Sequence, residues 1–329
     1  MKALLVGDMH CQISNLDESY KLIRFICQEA CAYNVDTIIF LGDQFHNHSV
    51  LRLEVISFWR AWALPQLVAS TKKVVFMVGN HDICGDKQKE RTMSANDIFE
   101  GVENVIVTSK PMKINGVSFI PFTSDKEQFV REAIELNGGE IGKTLICHQT
   151  FNGAQYENGF YAPEGLDQLL LPYESIVSGH VHLSSQIGKV KYIGSPRWMS
   201  MNDANSKKHI AIADFSDGRL LRTEYISTEH VCTPIISLTV KEGDKLPEIN
   251  VNARNHIELI GSTAWITKTK KKLPDSVHIK VSPTDRVITK IERKKGLNLM
   301  DFASTFDVTH GIIREEMIEV LQEVGLGTN

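Results

Sequence analysis

The sequence predicts an α/β fold in which a parallel, helix-covered sheet packs against a second sheet. Three apolar strands, at 2–7, 36–43 and 73–80, alternate with two long helical segments at 16–33 and 51–69. This strand–helix–strand–helix–strand order is typical of parallel sheets, because parallel neighbours need a crossover connection. Further strands follow with few helices between them, so a second sheet is expected to pack on the first.

Apolar periodicity supports each element. The first helix is predicted by apolar residues at helical intervals, namely Leu16, Tyr20, Ile23, Ile26, Cys27 and Ala30. Later strands are predicted at 104–108, 117–122, 143–148, 174–178, 190–194 and 208–214, with helices near 125–137 and 163–171. Beyond about 230 the sequence pattern changes to short apolar or alternating stretches. These are IISLTV, HIELIG, AWITKTK and VHIKVS, which are interpreted as short strands with lysine-rich connections. An amphipathic helix is predicted at 310–324, preceded by a shorter one at about 297–305.

The length of 329 residues suggests one large domain plus smaller parts. Charge is distributed unevenly along the chain. Residues 1–240 carry 22 basic and 27 acidic side chains, residues 241–300 carry 13 and 7, and residues 301–329 carry 1 and 6. The basic middle segment is therefore the one plausible electrostatic partner for a polyanion.

The cysteine content and the hydropathy of the sequence limit the cellular compartment in which the protein is expected. The six cysteines, at 11, 27, 31, 84, 147 and 232, form no CxxC pair, which favours free thiols in a reducing environment. The N-terminal apolar run is far too short for a signal peptide, and no run approaches the ~20 apolar residues of a membrane span. A soluble, cytoplasmic protein that does not bind membranes is expected.

Five predicted strands deliver metal-ligand residue types at their carboxyl ends. The motifs are Asp8-Met9-His10, Gly42-Asp43-Gln44-Phe45-His46, Gly79-Asn80-His81-Asp82, Cys147-His148 and Gly179-His180-Val181-His182. Open α/β sheets place their sites at this edge. One such motif alone is nearly uninformative, since a single histidine near a strand end is usually a surface residue. Five in this order favour a shared metal centre over a purely structural explanation.

The ligand types indicate the chemistry. Aspartate, histidine and asparagine without thiolates favour manganese, and they also suit magnesium or iron. A carboxylate shared by two ions suits a pair roughly 3.5–4 Å apart, which activates water and neutralises charge on a phosphodiester. No covalent nucleophile is needed for such a reaction.

Together these motifs resemble the calcineurin-like metallophosphoesterases, from Asp8 to about Ser195, and within them the SbcD-type DNA repair nucleases of the kind that T-even-like phages encode. The details are GDQFH without the arginine of protein phosphatases, HQTFNG in the fourth motif, and YIGSPRWMS at 192–200. The first motif departs from the nuclease pattern, since Cys11-Gln12 stands where Leu-Gly is usual. The resemblance implies a four-layer α-β-β-α sandwich over 1–228, a small α/β capping domain at 229–295 and C-terminal helices at 296–329.

The resemblance also implies roles for nine side chains. Asp8, His10 and His182 would hold a first ion, Asn80, His148 and His180 a second, and Asp43 would bridge the two. His81 matches the general acid that protonates the leaving 3′ oxygen, with Asp82 expected to orient it, and His46 matches a histidine that contacts the scissile phosphate. His48 has no counterpart and is interpreted as a surface-loop residue.

Partners follow from the same resemblance. The capping domain would contact DNA, with Lys268, Lys270, Lys271 and Lys272 as the densest basic run, although a solvated hairpin explains that run equally well. The helix at 310–324 carries an apolar stripe, Ile312, Ile313, Met317, Val320, Leu321 and Val324, that would dock on an SbcC-type, SMC-like coiled-coil ATPase or pack on its own domain. A homodimer is implied, with Phe58, Trp59 and Trp62 as one candidate surface and the core as the alternative.

The predicted function is a manganese-dependent DNA nuclease that degrades duplex ends 3′→5′ and nicks single strands. Two alternatives are weighed against it. A stand-alone phosphatase or cyclic-nucleotide phosphodiesterase needs neither the basic segment nor the C-terminal helix. A DNA-end-binding scaffold with a degenerate site is disfavoured by the complete ligand set.

Overall fold

The computed structural model describes residues 1–48, 50–84 and 93–285, which form three sheets and five α-helices. The strands are β1 (Lys2–Val6), β2 (Thr37–Phe40), β3 (Lys73–Met77), β4 (Val105–Thr108), β5 (Met112–Ile114), β6 (Val117–Ile120), β7 (Gly142–His148), β8 (Tyr173–Gly179), β9 (Ser185–Ile187), β10 (Val190–Tyr192), β11 (His209–Ser216), β12 (Arg219–Ser227), β13 (Ile235–Lys241), β14 (Arg254–Gly261) and β15 (His278–Pro283). The helices are α1 (Leu16–Ala32), α2 (Leu53–Ser57), α3 (Leu64–Ser70), α4 (Lys126–Leu136) and α5 (Thr263–Lys270). A π-helical segment, Phe58–Ala63, joins α2 to α3.

The two larger sheets have six strands each. The first has the order β12-β11-β1-β2-β3-β4, and the second has the order β5-β6-β7-β8-β10-β9. The predicted parallel pairing holds from β1 through β4, while β11 and β12 extend that sheet in antiparallel fashion. The second sheet is parallel at its centre, β6-β7-β8-β10, and antiparallel at both edges.

Side-chain alternation along the strands produces the layers. Ala3 and Leu5 of β1 face residues of the second sheet such as Ile146 and Val177, and they form the core between the sheets. Leu4, on the opposite face of β1, packs with α1 and α3 in a second core. The outer face of the second sheet is covered by α4 and the loop that follows β7. The predicted four-layer α-β-β-α sandwich is therefore confirmed.

The third sheet, β13-β14-β15, is wholly parallel and has its own small core with α5. The prediction of a strand for the AWITKTK stretch is wrong, because this stretch forms α5. Ser262 caps α5 by accepting a hydrogen bond from the Trp265 amide, and Ile266 and Thr269 are buried one turn apart. The domain boundaries at 228 and 295 stay predictions. The predicted helices at 297–305 and 310–324 lie outside the described residues.

One other expectation, about a helix, is wrong, and the structure decides between the two alternatives for the aromatic residues near 58–62. The helix predicted at 163–171 is only a 3₁₀ turn, Gln168–Leu170. Phe58 and Trp59 are 1% and 0% exposed, so they belong to the core and offer no dimer surface, while Trp62 is half-buried. Within the described ranges, no helix is both long and apolar enough to cross a membrane.

Candidate metal centre

The carboxyl ends of five strands meet at one edge of the sandwich. The first sheet contributes the residues that follow β1, β2 and β3, and the second contributes those at the ends of β7 and β8. The structure brings the seven predicted ligands together there: Asp8, His10, Asp43, Asn80, His148, His180 and His182. They lie in two groups, with one aspartate between them.

The first group consists of Asp8, His10 and His182, whose ligand atoms lie within 4.8 Å of one another. The Nε2 atoms of His10 and His182 are 3.0 Å apart. Asp8 Oδ1 accepts a hydrogen bond from the His180 amide at 2.9 Å, whereas the buried Oδ2 has no hydrogen-bond partner in the described part of the chain. A buried carboxylate oxygen left in this way is costly without a cation or donor beside it.

The second group consists of Asn80, His148 and His180. His148 Nδ1 lies 2.7 Å from the Leu41 carbonyl oxygen, which can only accept, so Nδ1 carries a proton, and loss of the second proton leaves the lone pair at Nε2. That Nε2 lies 3.0 Å from Asn80 Oδ1, and His180 Nδ1 lies 2.7 Å from the same oxygen. Acceptor atoms this close repel one another unless a proton or a cation lies between them.

Asp43 lies between the groups. Its Oδ2 is 3.6 Å from His10 Nε2, and its Oδ1 is 3.4 Å from His148 Nε2. Each carboxylate oxygen thus faces one group, which is the position required of a residue that bridges two ions.

The electrostatics of the cluster fit divalent cations. Burial lowers the pKa of His10 well below its usual value, and burial together with His148 lowers the pKa of His180 to about 3, so both rings are neutral. Burial also disfavours a charged His148, yet Asp43 and Asp8 raise its pKa to about 9. Burial opposes ionisation of Asp43, but the neighbouring histidines hold its pKa well below the usual range. Neutral imidazoles and ionised carboxylates are the forms that bind metals.

The backbone is shaped for this crowding. A Cβ on Gly42 would lie 2.2 Å from His148 Nδ1, and one on Gly79 would lie 2.2 Å from Asp43 Oδ1. Three of the candidate ligands themselves have left-handed backbone conformations, with φ of 44° at His10, 54° at Asp43 and 78° at His180. Such conformations are uncommon for residues other than glycine and concentrate at functional sites.

Two further histidines contact the His10 ring, and a third, His48, contacts one of them. The His81 ring lies edge-on to the His10 ring at 4.6 Å between centroids, and the His46 ring does so at 5.4 Å. His48 is exposed on its loop as expected, but its ring stacks on His81 at 4.0 Å, so it borders the site. His81 Nδ1 lies 2.6 Å from the His46 carbonyl oxygen and therefore donates to it.

The expectation that Asp82 orients His81 is wrong. The buried Asp82 carboxylate accepts hydrogen bonds from the amides of Asp43, Phe45 and Gly79 at 2.8–3.1 Å. Burial and the Asp43 charge raise the pKa of Asp82 to about 8, against the effect of these amides. Asp82 therefore fixes the turns that carry Asp43 and Asn80, and the His46 carbonyl holds the His81 ring.

The sequence did not reveal several side chains around the site. The buried Lys208 ammonium donates to the His182 carbonyl oxygen at 3.1 Å and pairs with Asp203, and the fully buried Arg197 bonds Ser19 Oγ at 2.9 Å. Glu157 lies beside His182, with Oε1 3.6 Å from Nδ1. Only the position of Arg197 directly after the GSP motif could have drawn notice.

The predicted DNA-contact lysines lie at the end of α5, which packs on the third sheet. Lys268 and Lys270 form the last turn of α5, and Lys271 and Lys272 follow it. All four are exposed. The solvated hairpin considered from sequence is therefore a helix end, where basic residues also favour the helix dipole.

The chain is similar to several known proteins. The family described as calcineurin-like phosphoesterase matches residues 1–184. Exonuclease subunit 1 of Enterobacteria phage T4 is 25% identical over 236 residues, which is 69% of this chain and 67% of that protein. Among solved structures, a hypothetical protein from Thermus thermophilus matches with a TM-score of 0.37 and 13% identity, covering 69% of this chain and 98% of that one.

Proposed function

The chain belongs to the calcineurin-like phosphoesterase family and is a metal-dependent phosphodiesterase, and we propose that its substrate is DNA. The observation that carries this proposal is the similarity to the phage exonuclease subunit, which extends over 236 residues and thus beyond the metal centre. The net positive charge of residues 241–300 supports it, because contacts with phosphates supply most of the sequence-independent affinity for DNA.

Seven side chains would hold two manganese ions. Asp8, His10 and His182 would bind the first, Asn80, His148 and His180 the second, and Asp43 would bridge them. When bound, the two ions supply Lewis acidity toward the phosphate and a water that ionises near neutral pH. The protein would supply an oriented ligand at His148, because the Leu41 carbonyl accepts the hydrogen bond from Nδ1 and leaves Nε2 to face the second ion.

His81 is the proposed general acid. Because Nδ1 donates to the His46 carbonyl, Nε2 is the atom that would deliver a proton to the leaving 3′ oxygen. The side chain of His46, whose ring centroid lies 5.8 Å from that of His81, would contact the scissile phosphate. His81→Ala should retain Mn²⁺ binding and DNA binding but lose cleavage, whereas loss of bound metal would contradict the assignment of His81 as a non-ligand.

A substrate comparison tests the proposal. With Mn²⁺, the purified protein should release nucleotides from the 3′ ends of a linear duplex and nick single strands, and EDTA should stop both reactions. A matched reaction with a small phosphomonoester and with a cyclic nucleotide distinguishes the main alternative. Robust hydrolysis of either small molecule without any action on DNA would refute the DNA nuclease.

The proposed assembly extends beyond one chain. The name of the phage relative, a subunit, supports a multi-subunit complex, and we expect a homodimer that binds an SbcC-type coiled-coil ATPase through residues 296–329. Deleting that segment should leave basal nuclease activity but abolish binding of the ATPase. Replacing the four lysines at 268 and 270–272 with alanine should weaken duplex binding and flatten its dependence on salt.

A further inference from the structure

The loop that connects β7 to β8 brings a carboxylate beside the first group of candidate ligands. It closes on itself through hydrogen bonds from the Asn152 amide to the Leu166 carbonyl and from the Gly153 amide to the Ala162 carbonyl. At its tip, two further backbone hydrogen bonds join Tyr156 to Phe160 and Gly159 to Tyr156. Glu157 lies in this turn, so the backbone fixes where its side chain can reach.

That side chain faces His182. Glu157 Oε1 is 3.6 Å from His182 Nδ1, and the two side chains are 13% and 24% exposed. Oε1 itself is buried and has no hydrogen-bond partner among the described residues. On the other side of the same ring, His182 Nε2 lies 3.0 Å from His10 Nε2. One nitrogen of the His182 ring thus faces a carboxylate, and the other faces the first group of candidate metal ligands.

We propose that Glu157 is a positioning residue that orients His182 and fixes its tautomer. An imidazole that binds a cation through Nε2 keeps its proton on Nδ1, and a carboxylate that accepts this proton's hydrogen bond holds the ring and raises the basicity of the ligand nitrogen. The bond also gives the buried Glu157 oxygen the donor that it lacks. The inference rests on the proposed function in one respect, the assignment of His182 to the first ion.

A third cation between Glu157, His182 and Asp203 is the competing explanation, since their ligand atoms lie within 4.8 Å of one another. Asp203 is already engaged, because one oxygen pairs with the Lys208 ammonium and the other accepts from the amides of Met199 and Ser200. The buried positive charge of Lys208 would also repel a cation at this point. Orientation of His182 is therefore favoured over an additional ion.

Lys208 and Glu157 restrain His182 in different ways. The Lys208 ammonium donates to the main-chain carbonyl of His182, which fixes the backbone, whereas Glu157 contacts the ring. Removing the Glu157 carboxylate should therefore leave the fold and the loop carrying His182 intact, and it should release only rotation and tautomer exchange of the ring.

The test measures binding of Mn²⁺ alone, by calorimetry, to the full chain and to Glu157→Ala, Glu157→Gln and a matched control, Glu164→Ala, at an exposed position of the same loop. Glu157→Ala should weaken one of two Mn²⁺ sites by about 10- to 100-fold and leave the other unchanged. Glu157→Gln should recover most of that loss because its amide oxygen still accepts, and Glu164→Ala should match the wild type. Thermal unfolding of each variant verifies folding.

A second readout reports on the ring itself. In nitrogen-15 spectra of the metal-free chain, His182 should carry its proton on Nδ1, and Glu157→Ala should give a mixture of tautomers, whereas Glu157→Gln should not. Unchanged Mn²⁺ affinity and an unchanged tautomer in Glu157→Ala would overturn the proposal. A wild type with three Mn²⁺ ions that loses one in Glu157→Ala would also overturn it, making Glu157 a ligand. If the wild type binds Mn²⁺ normally but does not cleave DNA, the proposed DNA substrate is refuted, whereas the positioning role of Glu157 is not affected.

Discussion

Gly79 lies where the structure has no room for a side chain, and Gly79→Ala should disable the metal centre. The added Cβ would lie 2.2 Å from Asp43 Oδ1, 2.5 Å from the Asp43 amide nitrogen and 2.9 Å from His148 Cε1. Ordinary contact begins at 3.4 Å, so the carboxylate oxygen must move by the difference, 1.2 Å. Because a displacement of about 1 Å in a catalytic array can cost about 10²-fold in rate, we expect at least that loss in kcat/KM.

The assay should use a small phosphodiester, bis(p-nitrophenyl) phosphate, with Mn²⁺, so that the result does not depend on DNA being the substrate. Calorimetry should show weaker Mn²⁺ binding in parallel, because Asp43 is the residue between the two groups. Gly101→Ala is the matched control, since its Cβ would meet nothing within 4 Å and its φ of +71° costs only about 1–2 kcal/mol of stability. Wild-type Mn²⁺ affinity and activity in Gly79→Ala would refute the reasoning from close packing.

Three further predictions concern protons, stability and thiols. Because the pKa of His148 is about 9 without metal, the ring is protonated at pH 7, and binding of Mn²⁺ should release nearly one proton. The affinity for Mn²⁺ should therefore rise with pH up to about 9. A binding enthalpy that does not depend on the ionisation enthalpy of the buffer would contradict this prediction. Mn²⁺ at 100 times its Kd should stabilise the chain by about 2.7 kcal/mol per site, which calorimetric unfolding with and without EDTA would detect. Burial raises the pKa of both Cys147 and Cys232 to about 12, so these thiols should resist Ellman's reagent in the folded chain while the exposed Cys31 and Cys84 react; equal rates for all four would be inconsistent with the structure.

Most of the fold could be predicted because buried parallel strands are short apolar runs that differ clearly from their flanking helices. The two errors have local causes. In the 163–171 stretch, Gly165 packs its backbone against Phe151. Leu166 is buried, but Leu169 and Leu170, which would share its face in a helix, are 82% and 57% exposed, so no helical face is covered by the core. In AWITKTK, alternation suggested a strand, but the Ser262 cap and the burial of Ile266 and Thr269 make it a helix.

The candidate metal centre could be predicted for a different reason. All seven candidate ligands lie at or shortly after strand ends, and the carboxyl ends of neighbouring parallel strands meet, so strand order brings together the ligands that each sheet contributes. Contacts made by loops carry no such rule. Glu157 precedes His182 by 25 positions and reaches it only because its loop folds back, and Asp82 serves the turns of other motifs although it adjoins His81. Sequence therefore indicated which residues gather but not which neighbours hold them in place.

The backbone at the centre explains why those neighbours matter. His10, Asp43 and His180 all have positive φ, and each such residue costs roughly 1–2 kcal/mol relative to an ordinary conformation. Specific hydrogen bonds hold these strained turns in place. The Asp82 carboxylate accepts from the Asp43 amide, and Asp8 Oδ1 accepts from the His180 amide. Two buried carboxylates thus restrain strained turns by accepting from amides of the strand ends beside them. Substituting either one should therefore change metal affinity through the geometry of the neighbouring turn, even where, as with Asp82, the side chain is not itself a candidate ligand.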